Sequence, residues 1–189
     1  MKEFTDLLSQ YGNLDRQQTD LMMSQSVNLE LRKGDHFWEI GKTSKYVGFV
    51  TGGILRVYFD NDKGDEITHY FVQENHWLSD WDHPDKNISP VANLQAITQC
   101  SLIAFLKKDW NGLLQSVPEL NIIIQKIIIK HKSEKLERRS SLISEDTTKR
   151  YLSFLKQYPN MVNRIPLSYV ASYLGMKQQS LSRVRKSIR

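Results

Sequence analysis

The chain of 189 residues contains one cysteine, Cys100, and that scarcity removes several chemistries at once. A single thiol forms no intramolecular disulfide, makes a poor metal site without other cysteines or a histidine cluster, and cannot carry an iron–sulfur centre. Cys100 therefore reads as a buried side chain. Long apolar runs are missing as well. The longest, Ile122 to Ile129, is broken by Gln125 and Lys126 and falls far short of the roughly 20 residues that span a bilayer. The opening Met1-Lys2-Glu3-Phe4-Thr5-Asp6 has acids where a signal peptide has an apolar core, so the expectation is a cytoplasmic protein without a membrane partner. No Gly-rich phosphate loop, nucleophile elbow or zinc-type spacing occurs, which argues against an enzyme and against a resident cofactor or metal.

What is present is the composition of a folded globular chain, 40% hydrophobic and 25% charged. A formal net charge of +5 favours a polyanionic partner, and the charge is unevenly placed. Basic residues are dense from Lys130 to Arg189, whereas the first two-thirds are nearly balanced. The polyanion contact therefore belongs at the C-terminal end.

The apolar spacing of Phe4, Leu7, Leu8, Tyr11, Leu14, Leu21 and Met22 predicts one or two short helices over residues 4–25. From Val27 to Leu106 short β-branched and aromatic runs alternate with turn clusters, which predicts an antiparallel β-roll or jelly roll. The clearest unit is a hairpin of Gly53–Phe59 and Glu66–Phe71 across Asn61-Asp62-Lys63-Gly64-Asp65; a second strand pair is expected from Asn93–Thr98 and Ser101–Phe105. A helix start follows at Lys108-Asp109-Trp110. After Pro118 a long helix runs from Leu120 to about Leu142, carrying the stripe Leu120, Ile123, Ile124, Ile127, Ile128 and His131. That stripe fits either packing on its own domain or a dimer seam, and the crowding of isoleucines favours the seam. Ser144-Glu145-Asp146-Thr147 resembles a fresh helix cap after a hinge near Leu142–Ser144.

Residues 165–188 have the spacing of a helix-turn-helix. Two helices that cross closely need a small residue at the contact, Ala171, and a residue tolerant of positive φ at the turn, Gly175. With Val170, Leu174, Met176, Leu181 and Val184 turned inward, Lys177, Gln178, Gln179, Ser180, Ser182, Arg183 and Lys186 remain outward, with Ser168 on the first helix. Arg183 suits guanine, Gln178 or Gln179 suits adenine, and the serines and Lys186 suit phosphate. The alternative is a helical hairpin with a solvated basic face.

Leu31-Arg32-Lys33-Gly34-Asp35, Gly48 to Val57, and Tyr169 to Arg185 carry a resemblance to the Crp/Fnr superfamily, the relatives of the catabolite activator protein, over nearly the whole chain. The resemblance implies an α+β bacterial-type transcription regulator with a cyclic-nucleotide-binding-like roll and helices in residues 1–117. A dimerisation helix and hinge would occupy 118–143, and a winged-helix-like DNA-binding domain 144–189. It implies a homodimer on a palindromic duplex operator, with RNA polymerase as a further partner. In nucleotide-binding members a Gly-Glu pair and a later Arg-Ser or Arg-Thr hold sugar and phosphate. Here those places read Trp77-Leu78-Ser79-Asp80-Trp81 and Ser89-Pro90-Val91-Ala92-Asn93. Asp80 is able to replace the acid, but Pro90 stands where the phosphate-binding arginine belongs, so cyclic AMP is not expected to bind well. A degenerate effector pocket of Trp77, Ser79, Asp80, Pro90 and Val91 holding an unknown small molecule is one expectation, with Trp38, Phe49, Tyr70 and Trp81 as further walls. A purely structural platform is the other. Among His36, His69, His76, His83 and His131, on which a haem site would draw, each reads more simply as a core or surface residue. Asp80, Asp82, His83 and Asp85 are the one acid-and-histidine cluster that an enzyme would use, and solvation of a loop explains them equally. A ligand-binding module with a non-DNA-binding basic tail is the remaining alternative.

Overall fold

The computed structural model describes residues 2–42, 44–78, 90–144 and 146–188, and the side chains of these apart from 2–3 and 135–144. Two four-stranded antiparallel sheets form a roll. One has the order β1 (Ser26–Leu31), β8 (Cys100–Leu106), β3 (Tyr46–Gly52), β6 (Trp77–Leu78). The other has β2 (His36–Trp38), β7 (Asn93–Ala96), β4 (Leu55–Asp60), β5 (Glu66–Val72). Around them lie α1 (Lys2–Ser9), α2 (Arg16–Ser24), α3 (Lys107–Ser116), α4 (Pro118–Ser144), α5 (Thr147–Gln157), α6 (Leu167–Tyr173) and α7 (Gln178–Ser187). The α+β class with a jelly-roll-like core is the expected one.

Period-two alternation explains the layering, because successive strand residues point to opposite faces. Leu55 and Val57 of β4, Leu94 and Ala96 of β7, and Val50, Cys100 and Leu102 from the other sheet meet between the sheets. Their neighbours in sequence point outward. On the first sheet Val47, Phe49, Trp77, Ile103 and Phe105 face α1–α4 and pack on Phe4, Leu8, Met22, Trp110, Leu120 and Ile123. On the second, Ile54, Phe71 and Ile97 face the C-terminal helices and pack among Tyr151, Phe154, Tyr158, Met161 and Tyr173. Five layers result: helices, sheet, core, sheet, helices.

The hairpin of β4 and β5 forms as predicted, Leu55 opposite Val72 and Asp60 opposite Glu66, with an irregularity between Val57 and Tyr58 that makes His69 the extra residue. The second predicted strand pair needs correction. Asn93–Ala96 pairs with β2 and β4, whereas Cys100–Leu106 pairs with β1 and β3, so the two strands belong to different sheets. Ile97 to Gln99 carries the chain across the corner, held by hydrogen bonds from the Ile97 and Thr98 amides to the Ile54 carbonyl at 2.9 and 3.3 Å.

The long stripe is corrected as well. Leu120, Ile123, Ile124 and Ile127 are buried against α1–α3 and the first sheet, and Ile128 is packed at the edge of that cluster. These residues are consumed by their own chain, where burying one such side chain stabilises by roughly 1.5–3 kcal/mol. His131 stacks on His76 at 5.3 Å between centroids. The face of α4 left outward carries Ile122 and Ile129, 55% and 69% exposed. A cap falls within the expected Ser144–Thr147 stretch, and it is Asp146 before α5, its Oδ1 accepting from the amides of Thr148 and Lys149 at 3.0 and 2.9 Å, while Ser144 still belongs to α4. No strand occurs among described residues 146–188, so the winged part of the expectation has no element to carry it.

Gly53 is where the corner requires glycine. Its φ is +94°, and a Cβ there would stand 2.3 Å from the Gln99 carbonyl oxygen and 2.6 Å from Cys100 Sγ. Gly53→Ala is expected to destabilise by roughly 3 kcal/mol or more. Gly64→Ala, at φ +79° with open space around it, should lose only about 1–2 kcal/mol. Urea denaturation midpoints at unchanged slope measure both.

Candidate nucleic-acid interface

The C-terminal module is built upward from its turn. Pro166 leads into α6, whose Val170 and Ala171 are buried along with Leu174. Gly175 follows at φ +65°. With Gly175 in the left-handed region, its amide reaches the Ser172 carbonyl at 3.1 Å and the Met176 amide reaches the Ala171 carbonyl at 3.0 Å, satisfying the end of α6. Arg150 of α5 donates from Nη1 to the Leu174 carbonyl at 3.2 Å, tying the turn to the preceding helix. A Cβ at Gly175 would meet only that arginine, at 3.8 Å, so the turn needs glycine for its φ and not for space.

α7 then begins after Lys177 and rests on α6 with Leu181 fully buried. Lys177, Gln178, Gln179, Ser180, Arg183 and Lys186 are exposed, Ser182 is half-buried, and Ser168 is exposed at the start of α6. Apart from Ser168 on α6 and the half-buried Ser182, the residues expected to face outward are exposed on α7 and its cap, without a carboxylate among them. Such a surface offers bidentate donors and hydroxyls to a groove of matching charge.

This module sits on the outer face of the second sheet. Arg56, the second residue of β4, is 2% exposed there. Its guanidinium lies 4.2 Å from the Tyr58 ring centre and 3.9 Å from that of Tyr169 on α6. It donates from Nη2 to Gln95 Oε1 at 3.0 Å and pairs with Glu66. Burying a charge is tolerable only with such partners, and removing one of them typically costs 3–5 kcal/mol. Ser172 serves the free edge of β5, accepting from the Thr68 amide at 2.9 Å and donating to the Glu66 carbonyl at 3.1 Å. Arg164 donates to both Glu74 oxygens at 2.5 and 3.2 Å, while Glu74 Oε1 also accepts from the Gly53 amide at 3.0 Å. None of these contacts was read from the sequence. The one available signal was an arginine inside the apolar strand Leu55-Arg56-Val57-Tyr58.

The expected effector pocket fares differently. Trp77 lies on the helix side of the first sheet, its ring 5.5 Å from Phe4 and 5.3 Å from Trp110, and so does Phe49. Neither lines the space between the sheets; alternation along β3 and β6 turns both outward. Trp38 packs at the edge of the inner core and donates to the Ala92 carbonyl at 3.0 Å. Tyr70 borders the inner core and the outer cluster together. Pro90 is buried, and Val91 is 72% exposed. Ser79, Asp80, Trp81, Asp82, His83 and Asp85 lie outside the described residues. Among the described residues no three His, Cys, Asp or Glu side chains gather as a metal site, and no single helix is long and apolar enough to cross a membrane. Cys100 is fully buried, its thiol donating to the carbonyls of Ile54 and Thr98 at 3.4 Å, and burial pushes its pKa up.

No protein-family model matches the sequence, and no curated protein matches it. Solved structures do match the fold. The c-di-GMP-responsive global regulator CLP of Xanthomonas campestris superposes with a TM-score of 0.74 at 15% identity, over 92% of this chain and 91% of that one. FixK2 of Bradyrhizobium japonicum gives 0.74 at 14% identity, over 86% and 84%. A transcriptional regulator of the Crp/Fnr family from Eubacterium rectale gives 0.72 at 17% identity, over 92% and 83%. The fold is the Crp/Fnr fold.

The Glu74–Arg164 pair is a titratable link between roll and C-terminal module. Burial raises the Glu74 carboxyl, but hydrogen bonds from Arg164 and from backbone amides outweigh it and hold the group below its ordinary 4.5. A carboxylate depressed in the folded state contributes stability above its unfolded value and loses it as pH falls through the lower folded one. The wild type should therefore melt above Glu74→Gln at pH 7, and the difference should shrink at a pH below the ordinary 4.5. Calorimetry at the two pH values checks this.

Proposed function

We propose that the chain is a sequence-specific, homodimeric DNA-binding transcription regulator that reads duplex DNA with α7. The observation that carries this is the division of α7 into a buried face around Leu181 and an open face of Lys177, Gln178, Gln179, Ser180, Arg183 and Lys186. A solvated helical hairpin has no need of the fixed glycine turn, the Arg150 brace and a carboxylate-free outward side together. The Crp/Fnr fold supports the same reading, and a partner in RNA polymerase goes with it. Its action is cytoplasmic and not catalytic.

The dimer seam is reassigned to the outward face of α4. Ile122 and Ile129 stand seven residues apart, two helical turns, and the interval continues in sequence with Leu136 and Ile143. Exposed isoleucines at heptad spacing need a cover, and a second α4 supplies one. Two α7 helices on a two-fold axis then address half-sites about 34–36 Å apart. Independence from cyclic AMP is part of the reading. Among the described residues no arginine belongs to the core between the sheets, and the roll's buried arginine, Arg56, faces the C-terminal module instead. A phosphate buried between the sheets would lack its cation.

Selection from random duplexes without nucleotide is expected to yield a palindrome, with affinity falling steeply with salt. Arg183→Ala should cost about 1–3 kcal/mol and relax one base position per half-site. Enrichment of nothing, with or without cyclic nucleotides, would sink the proposal in favour of a ligand-binding module. Separately, Ile122→Asp with Ile129→Asp should turn a dimer into a folded monomer by sedimentation, whereas Ile123→Asp should unfold the chain.

A further inference from the structure

We infer that Arg56 is a positioning residue for the DNA reader: through Tyr169 it fixes the orientation of α6, and hence of α7, on the roll. The inference rests on the DNA-binding reading above for its consequence, though not for its geometry.

Arg56 lies near the start of β4 between Leu55 and Val57, which point into the core between the sheets, so its own side chain must leave through the outer face. On a roll standing alone that face would be open to water and Arg56 would be an ordinary surface cation. The docked α6 buries it to 2% exposure. A planar guanidinium between two rings, at 4.2 Å from Tyr58 and 3.9 Å from Tyr169, constrains the tilt as well as the place of the ring that covers it. Its in-plane donors are taken by Gln95 and Glu66, on the strands either side of β4, which stops the group from turning with α6. The surrounding contacts are less directional. Phe71 meets Phe154, Tyr158 and Tyr173 at 5.5–6.3 Å, an aromatic cluster that admits sliding. Ser172 fixes the remaining degree of freedom by gripping the β5 edge at the Thr68 amide and the Glu66 carbonyl. Two stops result: Ser172 sets where α6 lies along β5, and Arg56 sets how it is tilted.

Tilt matters because both readers of a dimer must meet their half-sites at once, while one reader on one half-site is indifferent to it. The test compares wild type, Arg56→Lys, Tyr169→Leu and Tyr169→Phe. One readout is amide exchange of β5 and α6, and the other is the ratio of affinity for the selected palindrome to affinity for the same duplex with one half-site scrambled. Arg56→Lys and Tyr169→Leu are expected to speed exchange at β5 and α6 by about fivefold or more, with β3 and β8 unchanged. The same variants should move the affinity ratio by a similar factor. Tyr169→Phe, which keeps the ring, should behave as wild type. Should Arg56→Lys fail to fold, Tyr169→Leu carries the test, because it leaves every side chain of the roll in place. Unchanged exchange in Tyr169→Leu overturns the inference. So does a faster exchange that leaves the affinity ratio alone, and so does a Tyr169→Phe that behaves like Tyr169→Leu. A wild type that selects no duplex, but whose exchange responds as stated, overturns the DNA reading and leaves Arg56 as the lock of a docked pair.

Discussion

Both sheets of the roll carry apolar residues that face away from their common core, and that constraint places most other elements of the chain. A sheet with one wet face needs a single cover, but here Val47, Phe49, Trp77, Ile103 and Phe105 leave the first sheet on the side away from the common core, and Ile54, Phe71 and Ile97 leave the second. Helices α1–α4 close the first side, with Gly12 of the loop between α1 and α2 pressed so near Ile123 that a Cβ would sit 2.8 Å from it. The C-terminal helices close the second. The module that presents the basic helix is thus also a structural layer of the domain it is attached to.

The second cover is the more polar of the two, and its polarity has a geometric use. Oil against oil supplies free energy but little direction, whereas the Arg56 stack, the Ser172 bridge and the Glu74–Arg164 pair supply direction at modest net gain. Apolar burial holds the module down and polar contacts choose its attitude.

How much of this was legible in the sequence depends on the range of the interaction. Local features were readable: the cap at Asp146, Pro118 opening α4, the hairpin around Asn61–Asp65 and the positive φ at Gly175 all follow from neighbours within a few residues. Features set by partners distant in sequence were not. The stripe Leu120–Ile127 looked like a seam because periodicity reports that a helix has an apolar face and is silent on what covers it; the cover is α1–α3 and the first sheet, and the free face is the sparser one at Ile122 and Ile129. Trp77 looked like a pocket wall because a tryptophan at a strand end is visible, while the side of the sheet it takes is decided by pairing with Phe49 in β3. Asn93–Thr98 and Ser101–Phe105 looked like a strand pair because closeness in sequence usually means pairing, and the Gly53 corner sends them to different sheets instead. On the candidate site, the exposure of Gln178, Gln179, Ser180, Arg183 and Lys186 was readable, and the arrangement that aims them, Arg56 with Tyr169, was not.

Ser172 has a consequence of another kind. β5 is the outermost strand of its sheet, and an uncovered strand edge recruits whatever extended chain comes near, including another copy of itself. By spending one hydroxyl on both the Thr68 amide and the Glu66 carbonyl, α6 occupies part of that edge without continuing the sheet. A roll trimmed of its last forty or so residues would keep its inner core and lose this stopper, along with the cover over Phe71 and Arg56. The C-terminal helices therefore cover part of the β5 edge, and an edge so covered is a poorer template for an added strand.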